Sequence, residues 1–322
     1  MINYIMLRKI TYLTLLVALL GGCSSLSKEK RLGEGQQVSF GNSVQLLSTL
    51  ADEVRETSGL AQSKGLLWTI NDSGDGPYLY AVDKQFELQK KIFVSNAENI
   101  DWEELAQDEE YLYVADCGNN RGYRQKLQIY KVRWDQLERI DTNSGGSVTA
   151  ETLTFEYKDR GTESGTKDHN YDCEAVASVG NELWVFTKNR RDQKTNLYRL
   201  NKHKKFQSVA SSSVFDVGGL ITAADYVRET NYLVLMGYEK NYIFGQSFIW
   251  LVPLIQDAPL QPDWSRAQYH KLSIYAQWEA ILWDRFGAHI KLLLTSEKSP
   301  LLDVSIGEIR VGLPGSASSM EK

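Results

Sequence analysis

This chain repeats itself. Five stretches share one order: a short apolar run, a polar turn, a second apolar run, a polar loop and a third run. They are "SGLAQSKGLLWTINDSGDGPYLYAVD" from Ser58, "NIDWEELAQDEEYLYVADCGNNR" from Asn99 and "CEAVASVGNELWVFTKNRRDQKTNLYRL" from Cys173. "ADYVRETNYLVLMGYEKNYIFGQSFIWLV" from Ala224 and "WEAILWDRFGAHIKLLLTSEKSPLLDVSI" from Trp278 complete the set. Aligned on Gly59, Glu104, Glu174, Asp225 and Glu279, the units lie 45, 70, 51 and 54 residues apart. Runs of Tyr, Trp, Leu and Val broken by Gly, Asn and Asp read as strands, and helical periodicity is scarce. A fourth strand fits in each gap: "LQKKIFVS", "ETLTFEY", "SVASSSVF" and "AQYHKLSI". Four-stranded units at this period predict a β-propeller, whose blades close into a ring and so protect their edges. The 70-residue step carries a long loop, "KDRGTESGTKDHNYD".

The last unit runs out after three strands. Before the first unit lies "SVQLLSTL", Ser43 to Leu50, in the place a fourth strand holds before every other unit. It is expected to complete the last blade and fasten the ring. The fold class is therefore all-β, with five four-stranded blades closed by an N-terminal strand. A sixth blade built on "IGEIRVGL" is the alternative. The propeller is expected over 41–312, followed by a polar tail over 313–322. With 42% hydrophobic and 11% aromatic residues, a single core of this size is well supplied.

The first 22 residues read as a leader. Arg8 and Lys9 precede the apolar run Ile10 to Leu20, which is too short to span a bilayer. "LGGC", Leu20 to Cys23, resembles the lipobox of bacterial lipoproteins, which implies cleavage before Cys23 and lipidation there. Residues 23–40 then form a polar tether. Ser24 after the cysteine resembles the outer-membrane default, so a lipid-anchored protein facing the periplasm or the cell surface is expected. Loss of Arg8 and Lys9 moves the net charge of −5 two further units negative, to −7. An acidic chain with no basic stripe is a poor partner for nucleic acid.

In a propeller, the loop into strand one and the loop between strands two and three open on the same face. Acid concentrates at that mouth. The loops into strand one supply Glu56, Glu104, Glu174, Asp225 and Glu279, with Asp101 and Glu103 alongside. The two–three loops supply Asp72, Asp75, Asp116, Asn119 and Asn120, and a cationic sector of Lys188, Arg190, Arg191 and Lys298. Two carboxylates about 8 Å apart repel by roughly 2 kcal/mol at an effective dielectric near 20. A bound cation, raised pKa values or salt bridges relieve this. Hard oxygen donors without clustered histidine favour Ca²⁺ over zinc. The candidate metal set is Glu56, Asp72, Glu104, Asp116, Glu174, Asp225 and Glu279. The competing reading has these acids capping loops and backbone N–H groups.

Neighbouring blades would bring Cys117 and Cys173 to this mouth, and export favours a disulfide between them. The alternative is two buried thiols. Of His169, His203, His270 and His289, only His169 falls near the mouth, either as a general base or as a solvated loop residue. Nucleophile-elbow, phosphate-loop, zinc-protease and dinucleotide motifs are absent from the sequence. Trp68, Trp184 and Trp250 sit in strands and should wedge between blades. Trp102 and Trp278 flank the acids, either packed or free to stack on a sugar or base.

The pattern "ETSGLAQS", "LLWTINDSGD", "NIDWEELAQDEEYLYVADCGNNR", "YDCEAVA" and "ELWVFTKNR" is similar to a group of bacterial secreted propellers. More distantly it resembles phytase-like or esterase-like propellers, over about 45–300. That resemblance implies a calcium-bound acidic channel that hydrolyses phosphate esters. Glu104, Glu174 and Glu279 would be its recurring acids, and Lys188 and Arg190 its cationic loop. Blade one departs with Gly59, and blade four offers Asp225 with no cation nearby in sequence. Three functions compete: a binding or scaffold lipoprotein for a protein or glycan, a calcium-assisted phosphoesterase, and a glycan hydrolase with facing carboxylates.

Overall fold

The repeat folds into five sheets, each meandering outward from the centre of a ring. The computed structural model describes residues 39–40, 43–141, 144–240, 245–257, 259–284, 290–297 and 305–312. The leader, Cys23, the tether up to residue 38 and the tail lie outside the described residues, as do His289 and Lys298.

Blade one is Thr57–Ser63, Leu66–Asn71, Tyr78–Val82 and Leu88–Val94. Blade two is Trp102–Gln107, Tyr111–Asp116, Leu127–Arg133 and Glu151–Tyr157. Blade three is Cys173–Val179, Glu182–Thr187, Lys194–Asn201 and Ser213–Asp216. Blade four is Leu220–Val227, Tyr232–Lys240, Gly245–Ile255 and Gln268–Lys271. Blade five is Trp278–Asp284, Lys291–Ser296 and Ser305–Gly312, completed by Gln45–Thr49 from the N-terminal side. The five innermost strands pack one on the next around a closed circuit. The chain is a five-bladed β-propeller.

Closure joins the two ends of the ring. Gln45 pairs with Glu308 and Thr49 with Ser305, in the antiparallel sense expected of "SVQLLSTL". "IGEIRVGL" does not start a sixth blade; it is the third strand of blade five. "SVASSSVF" is divided between two blades. Phe206–Val209 runs parallel to the outer strand of blade two, and Ser213–Asp216 forms the outer strand of blade three. Ser144–Val148 likewise adds a fifth, parallel strand to blade one. Both additions cover sheet edges that would otherwise expose unpaired backbone groups.

Each blade packs on both faces. In strand two of blade two, Leu112 and Val114 join the core shared with blade one, while Tyr113 and Ala115 join the core shared with blade three. Strands buried on both faces read as continuous apolar runs rather than alternating ones. Trp68 and Trp184 fill these interfaces, and Trp250 packs against the edge of one. So do Trp102 and Trp278, whose exposures of 0% and 1% leave no face for a sugar. Their indole N–H groups donate to the Glu98 and Ile274 carbonyls.

Every innermost strand carries a bulge near its mouth end. The pairing register skips one residue between Ser58 and Leu60, Trp102 and Glu104, Cys173 and Ala175, Ile221 and Ala223, and Trp278 and Ala280. The skipped residues, Gly59, Glu103, Glu174, Thr222 and Glu279, are the structurally equivalent positions of the repeat. Blade two is therefore anchored on Glu103 rather than Glu104, and blade four on Thr222 rather than Asp225. Gly59 sits at φ +69°, and a Cβ there would strike the backbone of Glu104 and Leu105. Glycine at that bulge lets the innermost strands of blades one and two touch.

Candidate cation site in the acidic mouth

Four backbone hydrogen bonds tie the two–three loops to the segments leading into strand one. The N–H groups of Asp72, Gly118, Lys188 and Glu297 donate to the carbonyls of Glu56, Asp101, Asp172 and Gln277, at 2.8 to 3.1 Å. Both sets of loops thus reach one mouth. The acids near it then divide by what holds them.

The first group is bound to backbone. Glu104 accepts from the N–H of Leu105 and, across the channel, from the N–H of Ala224 in blade four, both at 3.0 Å. Asp225 accepts from the N–H of Tyr226 at 2.7 Å and of Trp283 at 2.8 Å. These carboxylates satisfy N–H groups on the inner edges of innermost strands, which have no further strand to pair with. Glu104 and Asp225 therefore lie inside the channel wall, apart from the acids of the mouth. Asp116 is fully buried; it accepts from the N–H of Asp101 at 3.0 Å and pairs with Arg124 at 2.9 Å. Glu56 is exposed on the rim.

The second group is matched by cations. Lys188 Nζ lies 2.9 Å from Glu174 Oε2, with both side chains buried. Arg190 pairs with Asp172 at 3.0 Å and approaches Glu174 at 3.7 Å. Burial raises the pKa of Glu279 above its ordinary range, against the opposing pull of the Lys188 ammonium. Arg191 binds Glu163 at 2.7 Å and stays on the periphery.

The third group has no such match. Asp72 from blade one and Asp101 and Glu103 from blade two each place one oxygen within 4.8 Å of the others. Glu103 is 6% exposed, and its Oε1 is buried without a hydrogen-bond partner. Gly118 closes the cluster from above. A Cβ at that residue would fall inside contact distance of Glu103 Oε1 and Asp101 Oδ2. Of this trio, only Asp72 belongs to the metal set expected from the sequence. The sequence pattern puts Asp101 and Glu103 at the mouth but aligns on the neighbouring Glu104. The bulge at Glu103 is what reverses the inside–outside alternation there, and nothing local in "DWEEL" announces it.

Burial is the main cause of raised pKa values throughout this cluster. It lifts Glu103 well above the carboxylate range, with Glu174, Asp72 and Asp101 adding repulsion. Asp101 rises to about 7, by burial and then by the charges of Asp72 and Asp172. Glu297 rises to about 8, by burial and then by Glu279. Asp72 also rises, burial outweighing the nearby Lys188. Burial therefore favours the protonated carboxyls in the folded chain. These folded-state values lie above the unfolded ones, so the folded chain holds more protons than the unfolded chain between about pH 5 and 8. Stability of the cation-free protein should therefore fall as pH rises through that window. Melting temperatures in EDTA from pH 5.5 to 8.5 check this; a rise with pH would contradict it.

Cys117 and Cys173 form a disulfide with Cα atoms 5.4 Å apart. It joins the two–three loop of blade two to strand one of blade three. His169 is fully buried rather than solvated: its Nδ1 accepts from the N–H of Tyr171 and its ring stacks on that residue.

No protein-family model matches the chain, and no curated protein does. Solved structures resemble it at low identity. A hydrazine synthase from Kuenenia stuttgartiensis is 9% identical, with a TM-score of 0.40, covering 79% of this chain and 80% of that one. A DUF4623 family protein from Bacteroides eggerthii is 9% identical, with a TM-score of 0.39, covering 80% and 71%. The WD40 domain of Toxoplasma gondii coronin is 10% identical, with a TM-score of 0.38, covering 88% and 87%. Likenesses this distant assign no activity.

Proposed function

We propose that this chain is an outer-membrane-anchored binding lipoprotein, held by a lipid on Cys23, whose mouth carries Ca²⁺ and presents it to a protein or glycan partner. The observation that carries the reading is the unpartnered, buried Oε1 of Glu103 within the Asp72–Asp101–Glu103 trio. Oxygens on opposite sides of one Ca²⁺ at about 2.4 Å stand about 4.8 Å apart, so the trio's spacing suits a single ion. All three donors are carboxylates, which favours a hard cation over zinc. Ca²⁺ takes six to eight oxygens. Three carboxylates leave positions open for oxygen donors of a partner.

Binding is favoured over phosphoester hydrolysis by the state of the cations. Lys188 and Arg190, which would stabilise charge on a phosphate, are engaged by Glu174 and Asp172. The test is thermal melting of the chain made without residues 1–23, in EDTA and in millimolar Ca²⁺. Saturation at about a hundred times Kd would stabilise by about 2.7 kcal/mol, a rise of roughly 5–10 °C for a domain of this size. Glu103→Gln should abolish the rise, and Gly118→Ala should reduce it by filling the ion's space. A wild-type protein whose melting does not respond to Ca²⁺ would sink the reading.

A further inference from the structure

The trio draws its oxygens from two blades, so its shape depends on what holds blade one against blade two. Asp72 directly follows strand two of blade one, while Asp101 precedes and Glu103 lies in strand one of blade two. Asn99 stands at the boundary, two residues before Asp101. Its Oδ1 accepts from the N–H of Trp102 at 3.1 Å. Its Nδ2 donates across the boundary to the carbonyls of Asn71, at 3.1 Å, and Asp72, at 3.0 Å. Partners of opposite kind at its two ends fix which way the amide points; turned over, it would set N–H against N–H and oxygen against oxygen. The turn that carries it is anchored too, because the indole of the fully buried Trp102 donates to the Glu98 carbonyl at 2.9 Å.

Resting on the cation reading above, we infer that Asn99 is a positioning residue for this site, which sets its affinity by holding Asp72 of blade one within reach of Asp101 and Glu103 of blade two. Both polar atoms of its side chain are engaged by backbone groups, so it acts through Asp72 rather than as a ligand. The other two donors have holders within or beneath blade two. The N–H of Asp101 is bound by Asp116 at 3.0 Å, and the carbonyl of Glu103 accepts from the Ser58 hydroxyl. Asp72 instead opens the polar loop "DSGDG", in which Ser73 and Gly74 are exposed. It is the donor whose place depends most on a neighbour. Groups that orient a ligand without touching the metal are worth about 10–100-fold in metal affinity. The cation, taking oxygens from both sides of this boundary, would in turn tighten it.

Calorimetric titration of Ca²⁺ into the wild-type, Asn99→Ala and Asn99→Asp chains tests this. Asn99→Asp is nearly isosteric and keeps an oxygen for the Trp102 N–H, so it removes only the two bonds to blade one. It also brings a new carboxylate near the site, which would tighten binding if Asn99 served merely to cap its own turn. Both variants should instead raise the Kd for Ca²⁺ roughly tenfold or more. Cooperative melting in EDTA shows that each variant is folded. Asn99→Asp binding as tightly as wild type, or more tightly, overturns the inference, and so does an unchanged Asn99→Ala. A second measurement needs no variant. In the wild type, saturating Ca²⁺ should slow hydrogen exchange of the Trp102 amide roughly threefold or more, and unchanged exchange there overturns the inference as well. A wild-type chain that takes up no Ca²⁺ in the calorimeter overturns the cation site itself, so the wild-type trace tells the two failures apart.

Discussion

Lys188→Met should destabilise the propeller by about 3–5 kcal/mol, the cost of leaving a buried carboxylate without its cation. Lys188 is 6% exposed and Glu174 2%, and the pair is joined at 2.9 Å. In the variant, Glu174 keeps only the more distant Arg190 at 3.7 Å, while Asp172 and Glu279 still repel it. For a domain of this size the loss corresponds to a fall in Tm of roughly 6–20 °C. Urea and thermal denaturation measure it. Adding Glu174→Gln to Lys188→Met should restore much of the stability, because the orphaned charge goes too. A single-variant loss under about 1 kcal/mol would place Lys188 among solvated surface pairs instead. Lys188 is joined to Glu174 and, against the dominant effect of burial, also lowers the pKa of Glu279, so its ammonium is engaged chiefly by the acids of blades three and five.

Replacing Cys117 and Cys173 by serine should cost roughly 4 kcal/mol in the chain-entropy account, since the bond closes a loop of sequence separation 56. The effect should also be local. Cys117 directly precedes Gly118, which closes the trio, and Cys173 directly precedes Glu174. The N–H of Asn119 donates to Asp172 at 2.9 Å, so the same loop is tied across to blade three a second time. Chemical denaturation of the double variant reads the global term. Calcium titration by calorimetry reads the local one, with weaker binding expected. Unchanged stability would mean that the Asn119–Asp172 and Arg190–Asn120 bonds alone hold the blades together.

Much of this architecture is legible in the order of residues. The five blades follow from the spacing of apolar runs, because a blade buried on both faces needs uninterrupted apolar strands separated by polar loops. The closing strand at Ser43 to Leu50 follows from counting, since the last unit lacks its fourth strand and the chain has one spare at its start. The disulfide follows from the same geometry, which brings one loop of blade two beside one strand of blade three. In each case the sequence reports a local period, and the closed ring leaves few ways to satisfy it.

Tertiary structure decided where ownership or orientation turns on a distant partner. Phe206–Val209 belongs to blade two because the edge of Glu151–Tyr157 was open to it, which no property of "FQSV" reveals. Glu103 faces the mouth and Glu104 crosses the channel because one residue is skipped between Trp102 and Glu104. The two neighbours are chemically alike, so only the pairing with Asp116 and Ala115 tells them apart. Composition and periodicity determine that acid will crowd a propeller mouth. Which oxygens are left for a cation depends on which backbone N–H groups and ammonium groups reach the others first, and the folded ring alone settles that.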